Sequence, residues 1–348
     1  MKRIPLLPLA VLPLTLMLSF AGAAKAQNAL TLASALNQSA AQPSVTAARA
    51  ALVTAQSDYA KAKADPLATK VTLLKAQQAY DLAVANVKAA DAQADSQIVM
   101  AYTQVLEAQD AVKLTRAGLD LAQKGAQVAQ TQYEKGGGTQ ISAQVAQNQV
   151  QAAQQAANVT EDGLALATAN LRSLVGAFTA VAPIPASSLP ASVGANTVED
   201  VLGRNPTLIQ AQQSAAALQL QVNLLDPLAV SASQINTLKT QLQQVQSGAA
   251  TAERGFRIQT QALYNSYLQA GKNRAVKQAA LQNADKQLSA DQDRFAKGLI
   301  SQLSLLQSQI AEQQAALAKE QADDAALSAY YALVAGPGGV GGVGAGGR

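Results

Sequence analysis

Tyr133-Glu134-Lys135-Gly136-Gly137-Gly138-Thr139-Gln140-Ile141-Ser142 and Phe295-Ala296-Lys297-Gly298-Leu299-Ile300-Ser301-Gln302-Leu303-Ser304 align without a gap at an offset of 162 residues. They share an aromatic, a Lys, a Gly, a Ser or Thr, a Gln, an aliphatic residue and a Ser. A cation and a glycine are helix stop signals, and a hydroxyl residue followed by Gln starts the next helix. Each stretch therefore reads as the turn of a helical hairpin, and the chain carries two of them.

Outward from the first turn, residues 67–135 contain no proline. At 1.5 Å per residue they form a rod on the order of 100 Å long, too long for a compact domain. Ile98, Val105, Val112, Leu119, Ala126 and Tyr133 recur every seven residues, with Ala101, Ala108, Ala122 and Ala129 three later and Thr115 the one exception. This is a coiled-coil seam with small residues that let helices approach closely. A second stripe, Leu114, Leu121 and Val128, runs beside the small Ala111, Gly118 and Gly125. Two stripes mean neighbours on both sides. The polar remainder (Gln104, Lys113, Asp120, Gln127) fits a single-layer curved wall wetted on both faces. Before the rod, Pro43–Ala64 reads as a helix with proline in its first turn, and Asp65-Pro66-Leu67-Ala68 breaks it. After the turn, Thr139 caps a helix over Gln140–Val175, rich in Gln and uncharged from Gly136 to Thr160.

The pattern then restarts. Asn205-Pro206 opens a helix over 206–225, Asp226-Pro227-Leu228-Ala229 repeats the earlier break letter for letter, and a second rod spans 228–297. Its seam is looser, with Arg274 where the first has Val112. A last helix covers 301–334. Tyr102, Leu106 and Ala108 recur as Tyr264, Leu268 and Ala270 at the same offset. Landmarks in one order at one spacing point to an internal duplication. The fold class is all-α: two tandem repeats of long antiparallel helical hairpins, coiled-coil walls with little or no β-strand. The expected divisions are a signal peptide at 1–26, a first repeat at 27–176, a proline-rich linker at 177–196, a second repeat at 197–335 and a disordered glycine-rich tail at 336–348.

Composition narrows the function. Trp, His and Cys are absent, aromatics are 3%, and the net charge is +4. Setting aside Lys2, Arg3 and Lys25 leaves 23 Lys and Arg against 22 Asp and Glu, which gives nucleic-acid binding no electrostatic support. Lys2-Arg3, an apolar run broken by Pro5, Pro8 and Pro13, and Ala24-Lys25-Ala26 form a secretory signal, so the chain is read as exported. No later stretch has the length of apolar sequence a membrane-spanning helix needs. Neither enzyme nor cofactor is indicated: there is no His or Cys, no paired carboxylates in a catalytic setting, and Gly136-Gly137-Gly138 follows a helix without the pattern of a phosphate cradle. Asp291, Asp293, Asp323 and Asp324 read as solvated helix faces, and Tyr102 and Tyr264 as packing residues. Lys135 and Lys297 suit helix C-termini, where a cation meets the dipole favourably. Leu299-Ile300 is apolar where a turn should be polar, and so marks a partner surface or a contact with a neighbouring protomer.

The ordered set of Asn205-Pro206, Tyr102 and Tyr264 each followed by Leu and Ala, Arg294-Phe295-Ala296-Lys297-Gly298-Leu299-Ile300-Ser301, Leu171-Arg172-Ser173-Leu174-Val175-Gly176 and Tyr330-Tyr331-Ala332-Leu333 resembles the TolC family of outer-membrane efflux proteins. The resemblance covers nearly all of the chain after the signal. It implies a homotrimer forming a long periplasmic α-helical barrel at the outer membrane. Substrates would leave through its lumen, and an adaptor protein would join it to an inner-membrane transporter. It assigns the adaptor contact to the tips: Lys135, Gly136, Thr139, Lys297, Gly298, Leu299, Ile300 and Ser301. The inner aperture would be lined by Ser142, Gln144, Ser304 and Gln307. Two features depart from that family. No alternating strand pattern accompanies the Asp-Pro breaks, where the family places membrane strands. The aperture positions are neutral where the family often has Asp, so little divalent-cation binding is expected there. A second reading follows from the first departure: a non-conducting spacer or tether of the cell envelope, with Leu73-Leu74 and Leu224-Leu225 resting on a membrane or another envelope protein.

Overall fold

The computed structural model describes residues 29–185, 193–194, 196–225 and 230–337. The signal, Pro190, Asp226-Pro227-Leu228-Ala229 and the glycine tail after Pro337 lie outside the described residues.

The chain builds α1 (Leu32–Leu36), a short 3-10 turn (Ser39–Ala41), α2 (Pro43–Ala64), α3 (Lys70–Glu134) and α4 (Gln140–Val175), then α5 (Thr197–Gly203), α6 (Pro206–Asn223), α7 (Ala232–Ala296) and α8 (Gln302–Ala335). Local chemistry sets most ends. Pro43 and Pro206 stand in the first turns of α2 and α6, where their missing N–H costs nothing. The Asn205 side chain accepts from Leu208 N–H at 3.1 Å to start α6. α3 and α7 are both 65 residues long, and α3 begins later than its hydrophobic pattern. Asp65 Oδ1 accepts from Leu67 N–H at 2.9 Å, which holds 65–67 in a turn, and Thr69 then caps α3 through Thr72 N–H at 3.1 Å. Ser231 caps α7 through Gln234 N–H at 3.3 Å. At α3 the competing side-chain bonds thus move the start past the first apolar residues.

The layer is one helix thick and ordered by its contacts. α3 packs against α2 and α4 on one flank and against α6 and α8 on the other; α7 lies beyond α6 and α8. α2 and α4 share a flank end to end, joined where Gln42 Nε2 donates to Leu174 O at 2.6 Å. Gln78 and Gln213 clasp α3 to α6, each amide donating to the other's backbone carbonyl at 3.0 and 2.9 Å. Thr115, the exception in the alanine seam, meets Thr160 hydroxyl to hydroxyl at 2.8 Å across α3 and α4. Among the described residues there is no strand, only an isolated parallel bridge between Leu30 and Val181.

The largest buried cluster sits midway along α3, where that bridge and α1 wrap the layer. Ile98, Val99, Tyr102, Val105, Leu171 and Leu327 are essentially inaccessible. The Tyr102 ring fills this core while its hydroxyl lies 2.6 Å from Ala182 O and 2.8 Å from Leu30 O. Burial pushes its phenol up to about 12, the bond to Ala182 opposing. Tyr264 is half-buried against Val198, Leu202 and Leu208 in a smaller cluster, so both tyrosines pack.

The acidic residues differ from expectation. Asp323 and Asp324 are 8% and 3% exposed, and Asp291 is 7% exposed; none is a solvated face. Periodicity locates a helix's apolar stripe but not which polar residues a second helix will cover. Here α8 lies against both α3 and α7, so carboxylates on two of its sides are enclosed. Asp293 stays exposed.

Candidate functional site: the paired hairpin tips

Both turns are built by the same backbone device. Gly136 and Gly298 take φ values of 77° and 72°, the left-handed region that glycine occupies at no steric cost. Gly136 N–H donates to Tyr133 O at 3.0 Å and Gly137 N–H to Gln132 O at 2.9 Å. In the second turn Gly298 donates to Phe295 O at 2.8 Å and Leu299 to Arg294 O at 2.9 Å. These pairs satisfy the last carbonyls of α3 and α7 and reverse the chain. Lys135 and Lys297 are the helix C-caps and are exposed, their charges at the negative end of each dipole.

Thr139 starts α4 by accepting from Ser142 N–H at 3.1 Å, and the Ser142 hydroxyl donates back to Thr139 O at 2.6 Å. Ser301 accepts from Ser304 N–H at 3.1 Å, and the two hydroxyls lie 2.9 Å apart. Ser142 and Ser304 are thus occupied with capping. Gln144 is exposed and within 3.3 Å of Asn148; Gln307 is exposed. Leu299 is 70% exposed at the apex, and Ile300 is half-buried beneath it.

The two tips stand side by side. Lys124, Thr131, Lys135 and Gly137 of the first hairpin and Gln302 of the second line one groove of about 470 Å³. A second groove, about 590 Å³, opens between α3 and α4 behind the first tip. Gln123, Gln127, Gln130, Gln140, Gln144 and Gln147 line it with Tyr133, giving a neutral surface of donors and acceptors. The uncharged run from Gly136 to Thr160 was its trace in the sequence.

At the matching place in the second hairpin a buried carboxylate closes the gap. Asp291 accepts from Ser308 Oγ at 2.6 Å, Gln287 Nε2 at 2.9 Å and Arg294 at 3.1 Å, bonds that hold it below its ordinary range, the serine bond foremost. One residue thereby staples α7 to α8. The positions 162 residues earlier are Ala129 and Ala146 for Asp291 and Ser308, and the first hairpin has no such staple. Among the described residues, no helix is long and apolar enough to cross a membrane.

No family model and no curated protein matches the chain. Solved structures do. CusC, described as forming a transmembrane channel, matches with a TM-score of 0.64 and 12% identity over 88% of this chain and 96% of its own. VceC, an outer membrane protein of Vibrio cholerae, matches at 0.61 and 16% identity over 88% and 96%. The CmeC outer membrane channel of Campylobacter jejuni matches at 0.62 and 9% identity over 86% and 84%. At these identities the likeness is one of fold. The described residues are all-α, without strands, and share the fold of these outer-membrane channels.

Proposed function

We propose that this protein is a component of a TolC-like export duct: copies close side by side into a helical tube, a passive efflux conduit through the periplasm at the outer membrane. It works with a periplasmic adaptor, which meets the tips, and an inner-membrane transporter. Three copies close the tube, as the sequence resemblance implies.

The observation that supports closure best is an open groove on α7. Within one chain, α8 covers α3 around Leu106, Asp110 and Leu114. The positions 162 residues later on α7 are Leu268, Lys272 and Val276; Leu268 is 42% exposed and Val276 64%. Lys272 and Val276 line an open groove of about 530 Å³. What would cover it is the counterpart of α8, namely α4, and α4 of the same chain lies on the far flank of α3. The α4 of a second copy fits. Asn158 and Asp162 are exposed on it at the positions matching Glu320 and Asp324 of α8, so Asp162 meets Lys272, opposite charge to opposite charge. Head-to-tail contact of this kind closes into a ring when the rotation between copies closes, and otherwise runs on as an open filament.

The tips supply the other end of the reading. Leu299 is a large apolar side chain at an apex, the kind of residue that anchors a contact. The neutral Ser142, Gln144, Ser304 and Gln307 are assigned to the aperture, and the conduit selects by width and hydrogen bonding, without a ring of carboxylates.

Since the chain has no cysteine, Asp162→Cys with Lys272→Cys gives a clean test. Oxidation is expected to produce a ladder of linked chains ending at a closed trimer. The two positions sit on opposite edges of one chain, beyond disulfide reach within it. An unlinked monomer under oxidation contradicts the ring.

A further inference from the structure

We propose that the seam between α3 and α8 is a proton-operated latch, in which protonated carboxyls at Glu320 and Asp324 hold the second hairpin against the first and their ionisation loosens it.

The seam gathers five carboxyl groups: Glu107 and Asp110 from α3, and Glu320, Asp323 and Asp324 from α8. Three cations face them. Lys113 bonds Asp110 at 2.5 Å, while Lys319 and Arg274, the latter reaching across from α7, both bond Asp323 at 2.5 and 2.6 Å. Glu107, Glu320 and Asp324 carry no ion pair, so the seam holds two more acids than cations.

The geometry shows where two protons go. Asp110 and Glu320 face each other across the two helices, and like charges at that range repel unless one of the carboxyls is protonated. Asp324 is 3% exposed, close to Glu107, Asp110 and Asp323, and its Oδ2 has no hydrogen-bond partner. An ionised carboxylate left bare in such a place costs far more than a neutral one. Burial, with the neighbouring Asp110, pushes Glu320 well above the ordinary carboxylate range. Burial, then Glu107, Asp323 and Asp110, push Asp324 to about 7, against the pull of Lys319.

The sign follows from linkage. The packed seam binds more protons than the parted one from about pH 4, the usual carboxylate range, through about 7 for Asp324 and about 8 for Glu320. Its stability is full below that window and is lost as pH rises through it. Two charges then appear beside Glu107 and Asp110, and like charges in a covered interface repel. Together with α6, α8 joins the α7–α8 hairpin to α3, so the latch sets how freely that hairpin moves. This inference stands on the fold of one chain and does not require that the oligomer conduct.

Nitroxide labels at Gln123→Cys on α3 and Ser289→Cys on α7, both exposed, report the separation of the hairpins in the full-length chain. Dilution with unlabelled protein keeps the distances intramolecular. Electron–electron dipolar spectroscopy is expected to show one narrow population at pH 6 that broadens to longer distances at pH 8.5. E320Q/D324N is expected to stay narrow at both. Glu320 is only half-buried, so E320Q alone serves if the double variant folds poorly, and it is expected to lose part of the shift. A labelled wild-type background with the same distances at both pH values overturns the latch, and so does a variant that broadens as much as that background.

Discussion

The two hairpin tips share a backbone and differ in what they carry. Both use a left-handed glycine and a hydroxyl cap, at positions 162 residues apart. Above that common turn, the first tip has only Gly137 and Gly138, and behind it a glutamine-lined groove separates α3 from α4. The second has Leu299 and Ile300, and behind it Asp291 binds α7 to α8. The shape of the turn is therefore a property of the fold, and the side chains divide the work. One hairpin offers an apolar apex on a closed stem, the other a small apex on an open, hydrogen-bonding stem.

That division can be broken at the apex. L299D is expected to abolish adaptor-dependent export, read as efflux of a fluorescent substrate from cells with equal protein levels. G137D, at the matching position, is expected to retain more than half of it. Gly137 has no positive φ, and a Cβ there meets only Gln132 O at 3.7 Å, so the first turn accepts the change. Equal loss in both would erase the distinction between tips.

The shared backbone can be tested by G136A and G298A. Each places a Cβ in the left-handed region, costing about 1–2 kcal/mol, and thermal unfolding is expected to show equal losses in the two. A loss confined to one turn would mean that the turns are not built alike.

The stem difference is the smallest effect and the most local. Amides near 287–308 are expected to exchange with solvent more slowly than those near 125–146. D291A is expected to remove the difference, on the order of a tenfold change in exchange rate. Because its bonds hold the Asp291 carboxylate below its ordinary range, the staple is complete at neutral pH. It weakens only as pH falls below the usual aspartate range, of about 4, and through the depressed native value. Sensitivity between pH 6 and 8 would instead point to the α3–α8 seam.

The hairpins were legible because their ends are written in short local signals. Lys-Gly, Thr139 with Ser142 and Asn205-Pro206 each act within four residues, and the helices stop and start there. The start of α3 was not, because Asp65 and Thr69 divert the backbone ahead of an apolar pattern that already runs from Leu67. The tip residues were visible as an apolar pair where polarity was due. The enclosed acids were missed, since a helix's own period cannot say that α8 packs on both α3 and α7. The clue was present in the seams themselves. Arg274 in place of Val112 needed an acid across from it, which is Asp323, and Thr115 among alanines needed a hydroxyl, which is Thr160. A polar residue in a small-residue seam announces its partner's chemistry without its address.

Single-channel recording tests most directly whether this chain forms a conduit. Purified oligomer added to planar lipid bilayers is expected to give discrete, long-lived conductance steps, little affected by divalent cations if the neutral Ser142, Gln144, Ser304 and Gln307 line the aperture as proposed. A verified oligomer that yields no conductance at any voltage would contradict the duct and leave a spacer of the envelope in its place.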